Sequence, residues 1–431
     1  MSTQPADRRK GWTPLPRPEW VQRLNEEGSY MDMRGVVPLD EDSLLATAKR
    51  NTGLSNFGAD DWYEPFQVLI KSLDTEAELH MAGRLMARED ILMFLEGRLW
   101  IEDTYKKHPE IDEQQIIKPL LLTGQGRSGT TGLQHLLSSD PKSRVPMTWE
   151  ALFPYPPPET ATFHTDPRIE KAVKRFEIYN RVVPEIVPMH DFLGDIATEN
   201  IHLQCMCFQS PMWFNLLGQV PSYNAYMAKR GILNAYHYEK RILKYLQWKC
   251  PGDRWMQKTP VYADHLPEVM EVFPDAQFIW IHRDPVKALS SMVTLAGVTN
   301  RARSDRSFIG AVADQFGDIE SFLSAEYSSM RLNRAIDWIE AGVLPKKQLC
   351  NIHYADFVAD PLGTVKKIYD FHSIKVPQSS FDAMQKHIDD RARQRASRTP
   401  YTYDVGSVEQ ITQERAYFKR YQEYFSVPNE V

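Results

Sequence analysis

The chain reads as an α/β protein: a parallel sheet entered by a P-loop-like strand–loop–helix unit, with helices on both faces and a helical N-terminal extension. Three observations predict this. Leu120 to Leu122 form an apolar run short enough for a buried strand, and it breaks into a loop with glycines at 124, 126 and 129. Phe278 to Ile281 form a second continuous run, as expected for a parallel strand covered on both faces. Before both, residues 41 to 107 carry apolar positions at helical spacing. The division predicted is 1–110 for the extension and 111–431 for the main domain.

Composition sets the bounds. The 431 residues are 42% hydrophobic and 25% charged, ordinary for a globular chain of this size. A net charge of −6 gives no bulk basicity for nucleic acid. Cys205, Cys207, Cys250 and Cys350 make no CxxC pair, which argues against a disulfide framework or zinc site and for a reducing, cytoplasmic setting. The first ten residues have no apolar region behind their charges, and no run of 18 apolar residues exists, so neither a signal peptide nor a membrane-spanning helix is expected. Peripheral membrane contact stays open.

Residues 1 to about 38 are proline-rich and weakly periodic, and read as a loosely held arm. Asp60-Asp61 can start a helix whose apolar positions include Trp62, Phe66, Leu69 and Leu73. The stretch from Leu79 to Trp100 places one broad apolar face on a longer helix. Packing, oligomerisation or a wall of a binding site are the roles open to this extension.

The glycine loop carries the first chemistry. Gly124 and Gly129 are spaced as in G-x-x-x-x-G-K-[ST], but Thr130 stands at the lysine position. The charge lies inside the loop instead, at Arg127, whose guanidinium grips oxyanions in two-point fashion. Leu133, Leu136 and Leu137 continue as a helix, so its N-terminus and the loop N–H groups face one anion.

Arg127-Ser128-Gly129-Thr130-Thr131 resembles the 5′-phosphosulfate loop of sulfotransferases that use PAPS (3′-phosphoadenosine-5′-phosphosulfate), in the form typical of the bacterial branch. The resemblance spans roughly residues 116 to 425. It implies PAPS as sulfonate donor, no metal, and donor contacts from Arg127, Ser128, Gly129, Thr130 and Thr131.

Further along, Asp140 to Pro158 is broken by prolines and holds Glu150. Sulfotransferases of the tyrosine-protein and heparan type carry a glutamate at a similar remove, and the likeness implies Glu150 as the base that takes the acceptor's proton. A structural salt bridge is the other reading, and His190 is a second candidate base. Residues 160 to 250 crowd His190, Glu199, His202, Met206, Phe208, Met212, Trp213, Phe214 and several tyrosines together, either as plain core or as an acceptor pocket.

Arg254-Trp-Met-Gln-Lys-Thr-Pro260 resembles the family's W-x-x-K-[ST]-P segment, which implies Lys258 on the transferring sulfonate. Pro260 occupies the place where cytosolic members have a histidine base. Arg283 ends the Phe278–Ile281 strand at its C-terminal edge, where open α/β sheets bind ligands. Arg283 and Ser291 match the family's 3′-phosphate pair in identity and spacing. Residues 299 to 306 read as a basic polar turn, and Phe316 to Ile339 as an amphipathic helix.

Gln348 to Tyr354 reads as another buried strand. Tyr354-Ala-Asp-Phe-Val-Ala-Asp-Pro361 resembles the family's Y-x-D-[LF]-x-x-D-P, which implies Tyr354 near the adenine. Ile411 to Phe425 reads as the last helix. The cytosolic R-K-G-x-x-G segment is absent; Arg391, Arg393, Arg395 or Arg398 could replace it.

The functional expectation is transfer of a sulfonate from PAPS to a hydroxyl of a small hydrophobic alcohol, phenol or lipid, by a monomer or homodimer. Two rivals stay open: a small-molecule kinase, separable by Mg-ATP binding, and a non-catalytic nucleotide- or lipid-binding protein.

Overall fold

The computed structural model describes residues 13–306, 323–396 and 402–431, the side chains of 394–396 excepted. Five parallel strands form its sheet: β1 (Leu120–Thr123), β2 (Ser143–Arg144), β3 (Arg254–Lys258), β4 (Gln277–His282) and β5 (Leu349–His353). Their order is β2-β3-β1-β4-β5. Every residue of β1 is buried, which is why its four residues carry no polar alternation.

Register determines which side chains meet at the sheet edge. Leu122 pairs with Lys258, Thr123 with Trp280, and His282 with His353. Parallel strands in this register end at one edge. The glycine loop, Lys258, Arg283 and Tyr354 therefore leave the sheet side by side, although the sequence separates them widely.

Helices cover the sheet. The N-terminal part contains α1 (Glu19–Ser29), α2 (Glu41–Thr52), α3 (Tyr63–Thr75) and α4 (Met81–Lys107). The first corrects the reading of a loose arm, since α1 buries Val21 and its Asn25 carboxamide oxygen accepts the Ala82 N–H. Asp40 caps α2 by accepting the Ser43 N–H at 2.8 Å. In α4, buried Arg98 donates to the carbonyls of Phe57 and Ala59 and lies over the Trp62 and Tyr238 rings. That one guanidinium ties the Gly53–Gly58 segment to the later chain.

The helices before residue 110 and the elements after it share one hydrophobic core: Phe66 meets Phe208 at 5.1 Å and Phe94 meets Phe214 at 6.0 Å. Gly83 of α4 lies so close to the Arg303 carbonyl that a Cβ would sit 1.8 Å from its oxygen. Residues 302 to 304 accordingly form no solvated turn. Arg303 is buried and pairs with Asp90 at 2.7 Å, and Thr299–Arg301 belong to the preceding helix.

The remaining helices that position the site are α5 (Thr130–Ser138), α6 (Thr148–Leu152), α7 (Pro167–Val182), α8 (Pro211–Leu217), α9 (Leu233–Gln247), α10 (Pro285–Arg301), α11 (Ala325–Glu340), α12 (Gln378–Ala396) and α13 (Val408–Phe425). Of the helix expected over 316–339, residues 316–322 lie outside the described residues. Among the described residues, no helix is long and apolar enough to cross a membrane.

His282 joins β4 to α13. Its Nε2 lies 2.9 Å from Asn351 Oδ1, which can only accept, so Nε2 carries the proton and Nδ1 accepts from the Tyr421 hydroxyl at 2.8 Å. Burial pushes its pKa down to about 3. The unfolded chain binds a proton here near pH 6.5 and the folded chain does not, so stability is full above that pH and falls as the pH drops toward 3. We expect His282 alone to remove on the order of 2 kcal/mol between pH 7.5 and pH 5. Denaturant unfolding at both pH values checks this, with His282→Gln showing a smaller loss than the parent.

Candidate functional site

The strand ends open into a cavity of about 280 Å³. Its floor is the glycine loop. Gly129 has φ 97°, and a Cβ there would meet the Tyr354 ring at 2.5 Å, so only glycine allows both the turn and the contact. Arg127 also holds a left-handed backbone, φ 71°, a conformation that costs an ordinary residue about 1 kcal/mol. Strain of this kind clusters where function needs it. No side chain caps α5. Its first-turn N–H groups have no partner within the helix, which suits an anion.

Arg127 lines the cavity, with Nε donating to Ser291 Oγ at 2.9 Å and Nη1 to the Met189 carbonyl at 3.0 Å. Thr130 and Thr131 line it too. Ser128 does not: its side chain is fully buried, and among the described residues its hydroxyl has no partner.

Lys258 enters from β3. Its ammonium forms an ion pair with Glu199 and donates to Thr131 Oγ1 at 3.3 Å. Burial alone would raise the Glu199 pKa, but the Lys258 ammonium paired with it outweighs this and holds the carboxyl below its usual range. Among the described residues, Glu199 Oε2 is buried without a partner. His190 and His202 line the same wall, and burial pushes each down to about 4, so both are neutral at pH 7. Nδ1 of His190 is likewise without a partner.

Behind this wall lies a polar network. Asn200 Oδ1 accepts the Lys258 N–H at 3.2 Å, and its amide group donates to Gln257 at 2.7 Å and Glu239 at 3.0 Å. Glu239 is fully buried, and burial pushes its pKa up to about 7. The network fixes the strand end that presents Lys258.

On the opposite side, Arg283 lines the cavity, donates through Nη1 to the Arg127 carbonyl at 3.1 Å, and lies 4.2 Å over the Tyr354 ring. The four positions Arg127, Ser291, Arg283 and Tyr354 are thus one contact group. Ser291 meets Arg127, where its expected companion was Arg283. Of the tail arginines, Arg391 reaches the cavity wall by pairing with His135 and, at 3.0 Å, with Asp191. Arg393 pairs at the surface with Asp390, and the side chains of Arg395 and Arg398 lie outside the described residues.

Glu150 departs from its expected place. It is fully buried on α6 and absent from the cavity wall. Arg144 grips both its oxygens, one at 2.9 Å, and the Met147 N–H donates to it at 3.0 Å. In this geometry its carboxylate reaches no acceptor in the cavity. Glu199 and Asn200 take the places that the sequence reading left without a role. The available signal was their position inside the polar–aromatic stretch 190–214.

Much of the remaining wall is apolar, built from Phe176, Phe192, Leu193, Met212, Trp213 and Leu216, with Gln134, Thr148, Asn215 and Thr299 among the polar residues between them. Among the described residues, no cluster of three or more His, Cys, Asp or Glu side chains could hold a metal ion.

Known proteins resemble this chain in sequence and fold. The model of the sulfotransferase family matches residues 119–378. Sulfotransferase STF9 of Mycobacterium avium aligns at 22% identity over 90% of this chain and 97% of its own, with a TM-score of 0.74. Sulfotransferase STF1 of Mycobacterium tuberculosis H37Rv aligns at 26% identity over 88% and 98%, with a TM-score of 0.73. No curated protein matches the chain.

Proposed function

The chain belongs to the sulfotransferase family, and from that premise we propose that it moves a sulfonate from PAPS to the hydroxyl of a small hydrophobic acceptor. The observation that carries this reading is the convergence of Arg127, Lys258 and Arg283 on one cavity, beside an uncapped helix N-terminus. Three fixed cations and a row of backbone donors fit a polyanionic donor in an otherwise acidic protein. The fit is to anionic oxygens, with no call for a metal.

When bound, PAPS supplies a sulfonate on its 5′-phosphate as the group to be transferred. The residues divide the remaining work. Arg127 and the N–H groups of Gly129, Thr130 and Thr131 hold the 5′-side oxygens. Lys258 neutralises charge that develops during transfer. Arg283 takes the 3′-phosphate, with Ser291 bracing Arg127 from beneath. Tyr354 offers a ring beside them for the adenine. The apolar wall from Phe176 to Leu216 excludes water and seats the acceptor.

We assign the base to Glu199 rather than Glu150. Glu199 stands on Lys258 with its second oxygen unpartnered, so it can take the acceptor's proton. A second reading has His190 in that role, because it is neutral at pH 7 with a free Nδ1 on the same wall. Turnover separates them: Glu199→Gln is expected to lose roughly 10²-fold or more and His190→Asn less than tenfold. The reverse ranking would transfer the role to His190.

The donor site is tested by calorimetric titration with PAP (3′,5′-ADP), without Mg²⁺, on the intact chain and on Arg283→Ala. Binding that falls at least tenfold in the variant supports the assignment. No binding by the intact chain sinks it and makes Mg-ATP the next ligand to try.

A further inference from the structure

Arg283 already has an anionic partner from this chain. The segment after α13 folds back along the donor side of the cavity, and Asp284 fixes its path. The Asp284 carboxylate is 1% exposed and accepts the Glu430 N–H at 2.7 Å and the Val431 N–H at 3.3 Å. Arg415 of α13 donates to the same carboxylate at 3.1 and 3.3 Å. Asp284 also caps α10 through the Val286 N–H. Glu430 is therefore placed by its backbone.

Its side chain then meets Arg283 edge to edge. Nε lies 2.9 and 3.2 Å from the two carboxylate oxygens, and Nη2 lies 3.0 Å from one of them. Lys287 stands 3.6 Å from the same carboxylate. This is the two-point pairing by which a guanidinium also binds a phosphate. The guanidinium edge that Glu430 covers belongs to the residue assigned above to the donor's 3′-phosphate. A carboxylate and a phosphate cannot both hold that edge, and they repel each other if brought together.

We propose that Glu430 is an internal competitor for the donor site: its carboxylate occupies the 3′-phosphate edge of Arg283 in the empty enzyme and is displaced when PAPS or PAP binds. The proposal rests on the reading of Arg283 as the 3′-phosphate residue. It has a physical purpose. An unpaired, largely buried guanidinium is costly, so the tail stabilises the empty site and lowers its affinity for nucleotide by the same amount. That reduction applies equally to the product, PAP.

The test is PAP affinity by calorimetry for the intact chain, Glu430→Gln, Arg283→Ala and the double variant. Glu430 is at the surface, with its side chain 27% exposed, and its anchoring hydrogen bond uses the backbone, so Glu430→Gln keeps the fold. We expect it to bind PAP about 3- to 10-fold tighter, as a partly exposed charge pair implies. In the Arg283→Ala background the same change gives no gain. If PAP binding depends on Arg283 but is unchanged or weaker in Glu430→Gln, the competitor idea is overturned and Glu430 is a brace for Arg283. If PAP binding is indifferent to Arg283, the donor assignment falls and the competitor falls with it.

Discussion

Lys258→Ala is expected to lower turnover by roughly 10²- to 10³-fold while PAP still binds. The reason is position. The side chain is 2% exposed, enters from the end of β3, and touches both Thr131 in the first turn of α5 and Glu199 of the facing wall. A cation fixed there before reaction needs no reorganisation as charge builds up. Lys258→Ala also strands the Glu199 carboxylate, so Lys258→Ala/Glu199→Gln, in which neither charge remains, is the control for PAP binding and folding, while turnover is compared between the intact chain and Lys258→Ala. Turnover is read from PAP release under saturating donor, with circular dichroism checking the fold. A loss of less than threefold in Lys258→Ala would take the lysine out of the reaction.

The second large effect falls on stability rather than chemistry. Glu150→Ala leaves the Arg144 guanidinium, itself nearly buried, without its carboxylate. Removing one member of a buried pair costs about 3–5 kcal/mol. Arg144 also stacks over Phe163 and Trp255 at 4.8 and 4.9 Å, so it cannot swing out to water without losing those contacts. Denaturant unfolding of Glu150→Ala, Arg144→Ala and the double variant should show strong non-additivity, the double being little worse than either single. Turnover per folded molecule should change by less than about threefold in Glu150→Gln. A selective loss of turnover with normal stability would return Glu150 to the role of base.

These two residues show what could be read from sequence and what could not. Arg283 was legible because it follows the apolar run Phe278–Ile281, and a charged residue at the end of a buried strand must emerge at the sheet edge; Lys258, preceded by Trp-Met-Gln, was singled out only by the likeness of its segment to W-x-x-K-[ST]-P. Arg127 was legible from the glycines around it. Glu150 was misplaced because spacing says how far a carboxylate can return, not which way it faces. Arg144, six positions earlier on β2, claims it. Glu199 follows a stretch of short turns with no strong periodicity, so nothing local announces that it meets Lys258. The helices from Glu41 to Lys107 were legible from their apolar spacing. The first helix, Glu19–Ser29, was not, since only Trp20, Val21 and Leu24 are apolar in its first two turns and they follow Pro14, Pro16 and Pro18; Val21 and Leu24 nonetheless share the face that packs on α4.

The strand order has a consequence for how the protein is made. Of the five described strands, β1 leaves the ribosome first, yet it lies in the middle of the finished sheet, between β3 and β4. Its glycine loop emerges before either neighbour exists. The nascent chain must wait for residues 254–258 and 277–282 to pair on both sides, and for Tyr354 to pack against Gly129, before the loop has its final shape. Contacts so distant in sequence form slowly. Until then the bare edges of β1 are open to pairing with other chains. Synthesis in which translation slows between residues 140 and 250 therefore exposes this protein to aggregation more than a pause after residue 354 does, by which point all five strands have been made.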